Sequence, residues 1–307
     1  MTRSKKVWVA GAAGQLGTAI QSIAKGEFPW LEILPTTRAD MDYTSPVEIA
    51  AFFRENRPDI AVNCIAYTNV DGAEKEYEIA KVANATIPAT ISSMLAQGHL
   101  PLIHVSTDHV FGGDKRQVGT PFTEEGTPSP ANAYALSKYL GEYATGLFEV
   151  PLYLLRTAWL YGPESWKNKS FYKSIRRKAL EEGVHGGTLR VVTDEISTPT
   201  SVFTLARVIL SIATLYGSEE ELPVGVYHVC DKGEASRHAF AEAIVALDPR
   251  TAHLKVEECL QEELSLPARR PQYSKLETKK IEHYFPTLIR PWQEALREIY
   301  HYDNPKQ

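Results

Sequence analysis

The chain has few cysteines, and this scarcity excludes a disulfide-stapled secreted fold. Its 307 residues contain only Cys64, Cys230 and Cys259, an odd number of widely separated residues in apolar or helical contexts. Small secreted domains instead carry dense, paired cysteines. We therefore expect these three cysteines to be reduced, buried and structural.

Long apolar runs, an excess of basic residues and internal repeats are also absent. No segment approaches the roughly 18 to 20 apolar residues of a membrane span. The basic residues near the N-terminus precede an apolar run that glycines interrupt too early for a signal peptide. A formal net charge of −5 gives no overall positive field for nucleic acid or membrane surfaces. We therefore expect a cytoplasmic protein that binds neither nucleic acid nor membranes.

The stretch of residues 7–17 carries the strongest local signal. Four apolar or small residues predict a buried strand, and Gly11, Gly14 and Gly17 then lead into a helix. Such a turn lets the backbone approach a pyrophosphate, whose charge is met by free N–H groups at the helix start. The spacing differs from the GxGxxG of most dinucleotide-binding folds, so a structural turn without a ligand remains an alternative.

Strands and helices alternate after this stretch. The predicted strands are residues 31–35, 59–64, 102–106, 152–156 and 226–229, and the predicted helices include 84–97, 131–147, 202–215 and 236–247. Such alternation indicates right-handed crossovers and a doubly wound parallel sheet of the Rossmann type.

The second half of the chain predicts a smaller α/β substrate-binding domain, formed mainly by the C-terminal part. A basic helix at 166–180, with its charges on a solvated face, and strands at 189–192 and 254–256 are expected here. We assign residues 1–160 to the dinucleotide domain, with returning segments at about 187–215 and 224–230. Residues of about 161–186 and 231–307 form the substrate domain.

The end of the second strand bears on the choice of cofactor. Dinucleotide folds usually place Asp or Glu here for NAD and Arg for NADP. This chain has Arg38, which favours NADPH, although a solvated loop charge is an equally simple interpretation. Asp42 and Tyr43 follow, and we expect them beneath the adenine.

Tyr134 and Lys138 are the candidate proton-transfer pair. Four residues apart, they share one face of the predicted helix, and an ammonium beside a phenol lowers the phenol pKa from about 10. Tyr77 and Lys81 have the same spacing but lie in a crossover helix away from the strand ends that face the pocket. The pair at 134 and 138 follows the strand end at Ser106-Thr107 by one loop, and ligands meet a parallel sheet at such strand ends.

These motifs together resemble the extended short-chain dehydrogenases/reductases, and more narrowly the dTDP-4-dehydrorhamnose reductase family. The resemblance spans residues 7 to about 276 and rests on Gly14-Gln15-Leu16-Gly17, Asn63 to Asp71, Ser106-Thr107-Asp108, Tyr134-x-x-x-Lys138, Arg156 to Trp159, Thr198-Pro199-Thr200 and Arg270-Pro271.

The resemblance implies a site for NADPH, with NADH as an alternative. It places the cofactor on Gly11, Gly14, Gln15, Leu16, Gly17, Ala66, Tyr67, Thr68, Val105, Tyr134 and Lys138. Tyr134 delivers a proton and Thr107 binds the carbonyl oxygen of a nucleotide-linked sugar. Asp108 and Trp159 contact the sugar, and Arg269 and Arg270 face its pyrophosphate. Core packing for Trp159, a turn cap for Asp108 and an exposed charge for Arg269 are the alternatives.

The chain departs from the family in three places. It has His109 where Tyr is common, and residues 194–200 differ from the usual Asp-Gln-x-Gly-x-Pro-Thr. Some members dimerise through a metal held by glutamates, but Ala19 and Tyr302 occupy those positions here. We therefore expect no metal and a monomer or a homodimer without a metal bridge. Three functions remain open: dTDP-4-dehydrorhamnose reduction, reduction of a related keto-sugar, and a non-catalytic NADP-binding regulatory subunit.

Overall fold

The structure is a computed structural model that describes residues 4–114, 118–166, 169–185 and 188–305. The strands are β1 (Lys5–Ala10), β2 (Leu31–Thr36), β3 (Ile60–Asn63), β4 (Leu102–Thr107), β5 (Leu152–Thr157), β6 (Leu160–Tyr161), β7 (Leu189–Val192), β8 (Ile196–Ser197), β9 (Thr200–Ser201), β10 (Gly225–His228), β11 (Ala235–Ser236) and β12 (Val256–Cys259). The α-helices are α1 (Gln15–Glu27), α2 (Pro46–Asn56), α3 (Val70–Ala73), α4 (Tyr77–Lys81), α5 (Ile87–Ala96), α6 (Ala133–Thr145), α7 (Phe171–His185), α8 (Val202–Leu215), α9 (Arg237–Leu247), α10 (Lys279–Tyr284) and α11 (Trp292–Asp303).

A six-stranded parallel sheet organises the chain. Its strand order is β10-β5-β4-β3-β1-β2, and every neighbouring pair is parallel. The order reverses direction beside β1, which creates a crevice at the carboxyl ends of the strands. The predicted Rossmann-type fold is confirmed.

Successive residues of β1 show why both faces of the sheet are covered. Val7 and Val9 join the core shared with α1 and α8, whereas Trp8 and Ala10 join the core shared with α2 and α5. Side chains alternate between the faces of a strand, and a parallel sheet with helices on both sides buries both sets. The four-residue apolar run therefore forms a fully buried central strand.

The predicted helix at 84–97 is wrong at its start. The chain forms α4, then a π-helical turn at Val82–Thr86, and then α5. Inside the wide turn, the Asn84 amide bonds the backbone N–H and carbonyl of Tyr67 and the hydroxyl of Ser137. Single π-helical turns of this kind frequently lie near functional sites.

Other predicted boundaries are also displaced. The basic helix expected at 166–180 forms as α7, which begins at Phe171 behind a Ser170 hydroxyl that accepts the Lys173 N–H. The strand expected at 254–256 runs as β12, where it pairs in parallel with β7. The predicted bounds of β7 and α8 are confirmed.

Short elements of the C-terminal part lie near the carboxyl end of the sheet. The pairs β11–β8 and β6–β9 are small, and single bridges join Ile196 to Tyr273 and Phe122 to Leu276. The loop before α10 is thereby tied to the loop after β4. The division into two domains at the predicted boundaries stays a prediction.

The three cysteines are free thiols. Cys230 and Cys259 are buried, but Cys64 is only partly buried because it lies at the end of β3, where the sheet opens. The expectation that all three are fully buried is thus wrong for Cys64. None of the helices in the described residues is both long and apolar enough to cross a membrane.

Candidate active site

A crevice of about 540 Å³ opens at the carboxyl ends of β1, β3 and β4. Its lining brings together many predicted site residues: Gly14, Gln15, Leu16, Ala66, Thr68, Val105, Thr107, Asp108, Tyr134, Lys138 and Trp159. It also includes residues that the sequence did not single out for the site: Asn63, Cys64, Ile65, Val70, Ser106, Thr157, Leu160, Lys169 and Arg237, together with His109. The parallel topology explains this convergence, because the strands end at the same edge.

The glycine turn forms an anion cradle at the crevice. Gly11 has a φ of +82°, and a Cβ at Gly17 would stand 2.6 Å from the Ala12 Cα, so both positions require glycine. Helix α1 starts at this turn without a side-chain cap and without an acidic residue in its first turn. Its first N–H groups have no partner inside the helix, and the helix dipole favours an anion there. These features fit the diphosphate of a dinucleotide.

Tyr134 reaches the crevice from the first turn of α6. The helix is fixed by Asn132, whose side chain accepts the Ala135 N–H at 2.7 Å and donates to the Arg269 carbonyl at 2.8 Å. The Tyr134 phenol lies near enough to the Thr107 hydroxyl to interact with it, and both residues line the crevice. A proton donor and a second hydroxyl therefore stand together at the end of β4.

Burial, opposed by the interaction with Thr107, raises the pKa of Tyr134 to about 12. The sequence-based prediction that Lys138 lowers this pKa is wrong in this structure, because removal of the phenolate from water outweighs other effects. The phenol consequently holds its proton at neutral pH, which is the state a proton donor needs.

Lys138 is buried one turn after Tyr134. Its ammonium donates to the Val105 carbonyl at 2.7 Å, and burial lowers its pKa to about 8, opposed by the nearby Glu142 carboxylate. Glu142 is itself fixed by a buried ion pair with Arg156, with 2.8 Å between Nη2 and Oε2. The Glu142 carboxylate thus helps to keep Lys138 cationic despite its burial.

Asp108 is buried and tied to the C-terminal elements. Its Oδ2 accepts hydrogen bonds from the hydroxyls of Ser197 and Ser274, and its Oδ1 accepts from Thr107 at 3.1 Å. Asp108 lines the crevice while it joins the loop after β4 to β8 and to the segment before α10. Asp108 therefore holds these segments together, and its contact with a sugar stays a prediction.

Trp159 and Arg237 form a stacked pair in the crevice. Trp159 has a φ of +42°, a strained conformation for a bulky residue. The Arg237 guanidinium carbon lies 3.7 Å from the centre of the Trp159 ring, and Nε donates to Glu195 at 3.3 Å. Sequence reasoning missed Arg237. The available signal was a cation in the first turn of a helix, where the helix dipole disfavours positive charge.

His109, which departs from the family pattern, also lines the crevice. Its ring centre lies 5.5 Å from that of Tyr134, nearly edge-on, and its Nδ1 has no hydrogen-bond partner among the described residues. Burial lowers its pKa, so this imidazole is neutral at neutral pH.

The residues predicted at the adenosine end lie outside the crevice lining. Arg38 is exposed, and exposed Asp42 accepts the backbone N–H and hydroxyl of Thr44. Tyr43 is buried beneath the glycine turn, where its hydroxyl accepts the Gly11 N–H at 3.3 Å and donates to Thr36. The adenosine contacts of Arg38, Asp42 and Tyr43 stay predictions.

Three further predicted residues lie beside the crevice. Tyr67 directs its hydroxyl to Glu76. Arg269 is exposed, and the guanidinium of Arg270 forms two hydrogen bonds with Asp71, of 2.6 and 2.9 Å. Arg270 is therefore already paired with a carboxylate of the protein itself.

Comparisons with known proteins agree with this geometry. Residues 5–304 match the family described as RmlD substrate binding domain. A dTDP-4-dehydrorhamnose reductase of Sinorhizobium fredii is 34% identical over 296 residues, covering 95% of both chains. A probable dTDP-4,6-dihydroxy-2-methyloxan-3-one 4-ketoreductase of Streptomyces antibioticus is 33% identical over 301 residues, covering 95% of this chain and 93% of that one.

Solved structures show the same relationship. A dTDP-4-dehydrorhamnose reductase of Clostridium acetobutylicum has a TM-score of 0.84 and 33% identity, and one of Bacillus anthracis in complex with NADP has 0.83 and 30%. Each comparison covers 97% of this chain and 99% of the other. The chain belongs to the RmlD substrate binding domain family, which confirms the resemblance to dTDP-4-dehydrorhamnose reductases.

Proposed function

We propose that this protein is an NADPH-dependent reductase that converts the C4 ketone of dTDP-4-dehydro-L-rhamnose to the alcohol of dTDP-L-rhamnose. Family membership supports the reaction class and the substrate class. The observation that carries the proposal is that the Tyr134 phenol and the Thr107 hydroxyl interact in the same crevice that the glycine turn of residues 11–17 lines through Gly14. A protonated phenol beside an anion cradle is suited to carbonyl reduction.

The proposed cofactor is NADPH, with NADH as an alternative. The Bacillus anthracis relative was solved with NADP. In this chain, Gly14, Gln15 and Leu16 would hold the diphosphate, because they line the crevice at the uncapped start of α1. Ala66, Thr68 and Val105 line the adjoining part of the crevice. Arg38 remains our proposed partner for a 2′-phosphate.

The hydride for the carbonyl carbon would come from reduced nicotinamide held in this crevice. When substrate binds, the Thr107 hydroxyl would turn its hydrogen from Asp108 Oδ1 to the carbonyl oxygen, which withdraws electron density from the carbon and orients the ketone. Tyr134 transfers its phenolic proton to the same oxygen as negative charge develops there. Burial keeps that proton on Tyr134 until the charge appears, since the pKa of the phenol is about 12.

Lys138 has a supporting part in this reaction. We propose that its ammonium holds the nicotinamide ribose beside Tyr134. The ammonium is already oriented by the Val105 carbonyl, and Glu142 favours its charged form.

We propose a cytoplasmic monomer or a homodimer without a metal bridge. The positions where some relatives hold a metal with glutamates are Ala19, buried in α1, and Tyr302, whose ring packs against Trp166 and Phe203. Neither side chain can ligate a metal through a carboxylate. The three free thiols suit a reducing compartment.

The experiment is incubation of the purified protein with dTDP-4-dehydro-L-rhamnose and NADPH, with loss of nicotinamide absorbance and the product followed by NMR. We expect dTDP-L-rhamnose in stoichiometric yield with the NADPH consumed. The Streptomyces relative favours a second candidate, reduction of a related dTDP-linked keto-sugar. Turnover of such a sugar without turnover of dTDP-4-dehydro-L-rhamnose would favour that candidate. Cofactor binding without turnover of either sugar would contradict a reductase.

A further inference from the structure

We propose that Arg237 and Lys169 form the subsite that binds the diphosphate group of the nucleotide-sugar substrate. This inference rests on the proposed function, because it names the groups that recognise the charged part of that substrate. It assigns to Arg237 and Lys169 the task that the sequence assigned to Arg269 and Arg270.

The crevice is positively charged although the chain as a whole is not. Among its lining residues, Lys138, Lys169 and Arg237 are cationic, and Asp108 carries the opposite charge. The chain has a formal net charge of −5. Concentrating cations in one concave site attracts a polyanion. Lys138 is engaged by the Val105 carbonyl, which leaves the Arg237–Lys169 side of the crevice as a second cationic region.

Arg237 is held in one orientation. Its guanidinium lies between the rings of Trp159 and Phe171, at 3.7 and 4.9 Å from their centres, while Nε bonds to Glu195. The backbone N–H of Arg237 also donates to the Glu195 carbonyl at 3.1 Å. Because Nε makes the ion pair, the terminal amino groups keep the fork geometry that suits phosphate oxygens.

Lys169 complements this fixed guanidinium. It lies before α7, the helix that supplies the Phe171 ring under Arg237, and it is exposed where it lines the crevice. A lysine ammonium on a flexible four-carbon stem can adjust to an anion that a fixed guanidinium holds. The two residues are therefore suited to different parts of one anion.

The alternative arginines are less suited to this anion. Arg270 is paired with Asp71, and its release would leave that carboxylate without its cation. Arg269 is exposed, and neither residue belongs to the crevice lining. An anion can reach Arg237 without breaking a comparable pair, because the Glu195 contact uses only Nε.

The test compares Arg237→Gln with Arg177→Gln, a matched arginine on the exposed side of α7 that pairs with Glu181. We measure KM for the nucleotide sugar, kcat, and calorimetric Kd values for free dTDP and for NADPH. Loss of a charge-assisted hydrogen bond predicts KM and the dTDP Kd about 10- to 100-fold higher in Arg237→Gln. The NADPH Kd should stay within about 3-fold of wild type, and Arg177→Gln should match wild type.

Two further variants keep the test decisive. Arg237→Lys retains the charge but loses the fork, so it should weaken dTDP binding less than Arg237→Gln. Lys169→Gln replaces an exposed side chain, so it decides the matter if Arg237→Gln unfolds, and it should raise the dTDP Kd several-fold. Lys178→Gln, which replaces an exposed lysine on α7, is the control for Lys169→Gln.

The outcomes distinguish failure of the proposed diphosphate subsite from failure of the proposed reductase function. Unchanged dTDP binding in Arg237→Gln and Lys169→Gln would overturn the subsite and leave a purely structural stack of Arg237 on Trp159. A weakened NADPH Kd with unchanged dTDP binding would also overturn it, by assigning these cations to the cofactor. Because dTDP binding needs no turnover, a wild-type protein without reductase activity whose dTDP binding depends on Arg237 would refute the proposed function alone.

Discussion

The backbone carbonyl oxygen of Asn84 lies against helix α6 at Gly141, where a Cβ would stand 2.0 Å from that oxygen. The Asn84 side chain also bonds the Tyr67 backbone and the Ser137 hydroxyl. One asparagine in a π-helical turn thus joins the strand-end loop to the helix that carries Tyr134 and Lys138. Close approach at Gly141 therefore sets the distance between the π-helical turn and helix α6, and with it the position of Tyr134 and Lys138 in the crevice.

Gly141→Ala should consequently damage both stability and activity. The added methyl group must displace α6 from the π-helical turn, and overpacking of this kind costs about 1 to 3 kcal/mol or more. We expect a lower midpoint of thermal unfolding and a kcat reduced together with it, because Tyr134 and Lys138 move with the helix. Circular dichroism melting and steady-state kinetics measure the two effects.

Gly26→Ala is the control for this substitution. Gly26 lies in α1, and a Cβ there meets no atom within 4 Å. Replacing glycine with alanine in an exposed helix should stabilise the protein by about 0.5 to 1 kcal/mol without changing kcat. A Gly141→Ala protein as stable and active as wild type would show that α6 can move away from the π-helical turn without loss of stability or activity.

The pKa of Lys138 predicts a limit on cofactor use at alkaline pH. Burial lowers this pKa to about 8, so the ammonium loses its proton as the pH rises through 8. The neutral amine is a weaker partner for the cofactor ribose, and kcat/KM for NADPH should fall up to tenfold per pH unit above that value. The measurement is a profile of kcat/KM for NADPH between pH 6 and pH 10.

Lys138→Arg tests the assignment of that limit. Because a guanidinium stays charged across this range, its alkaline limb should move beyond about pH 10, even if the maximal rate is lower. An identical limb in the variant, or a wild-type profile that stays flat through pH 9.5, would rule out Lys138 as the titrating group.

Removal of metals should not change the assembly. The family resemblance leads us to expect Ala19 and Tyr302 at the positions where some members carry metal-binding glutamates. No group of three or more His, Cys, Asp or Glu suited to a metal occurs within residues 4–114, 118–166, 169–185 and 188–305. We expect the same mass by size-exclusion chromatography with light scattering in the presence and absence of EDTA. A shift to lower mass on chelation would refute a metal-free assembly.

The sequence was sufficient to predict the central sheet and the residues at the centre of the candidate site. Periodic apolar runs placed β1, β4 and β5, and parallel topology then brought the glycine turn, Thr107 and Tyr134 to one edge. These features follow from local patterns and one general rule of α/β folds. The bounds of the α4–α5 region did not, because the π-helical turn depends on Asn84 finding partners 17 and 53 residues away.

Tertiary burial explains the other differences. The Tyr134 pKa could not be predicted from its spacing to Lys138, since burial of the phenol is the largest cause of its shift and Asp108 raises it further. Arg237 reaches the crevice because α9 begins directly after β11, and β11 pairs with β8. No local sequence pattern encodes this strand pairing. Likewise, only the folded chain shows that Arg270 is paired with Asp71.

The most direct test of the account compares Tyr134→Phe with Tyr77→Phe. Both tyrosines precede a lysine by four residues, but only Tyr134 lines the crevice. Loss of a positioned proton donor should lower the kcat of Tyr134→Phe by about 10² to 10⁴, with NADPH affinity nearly unchanged, whereas Tyr77→Phe should keep wild-type kcat. A Tyr134→Phe enzyme within a few-fold of wild-type kcat would contradict the account.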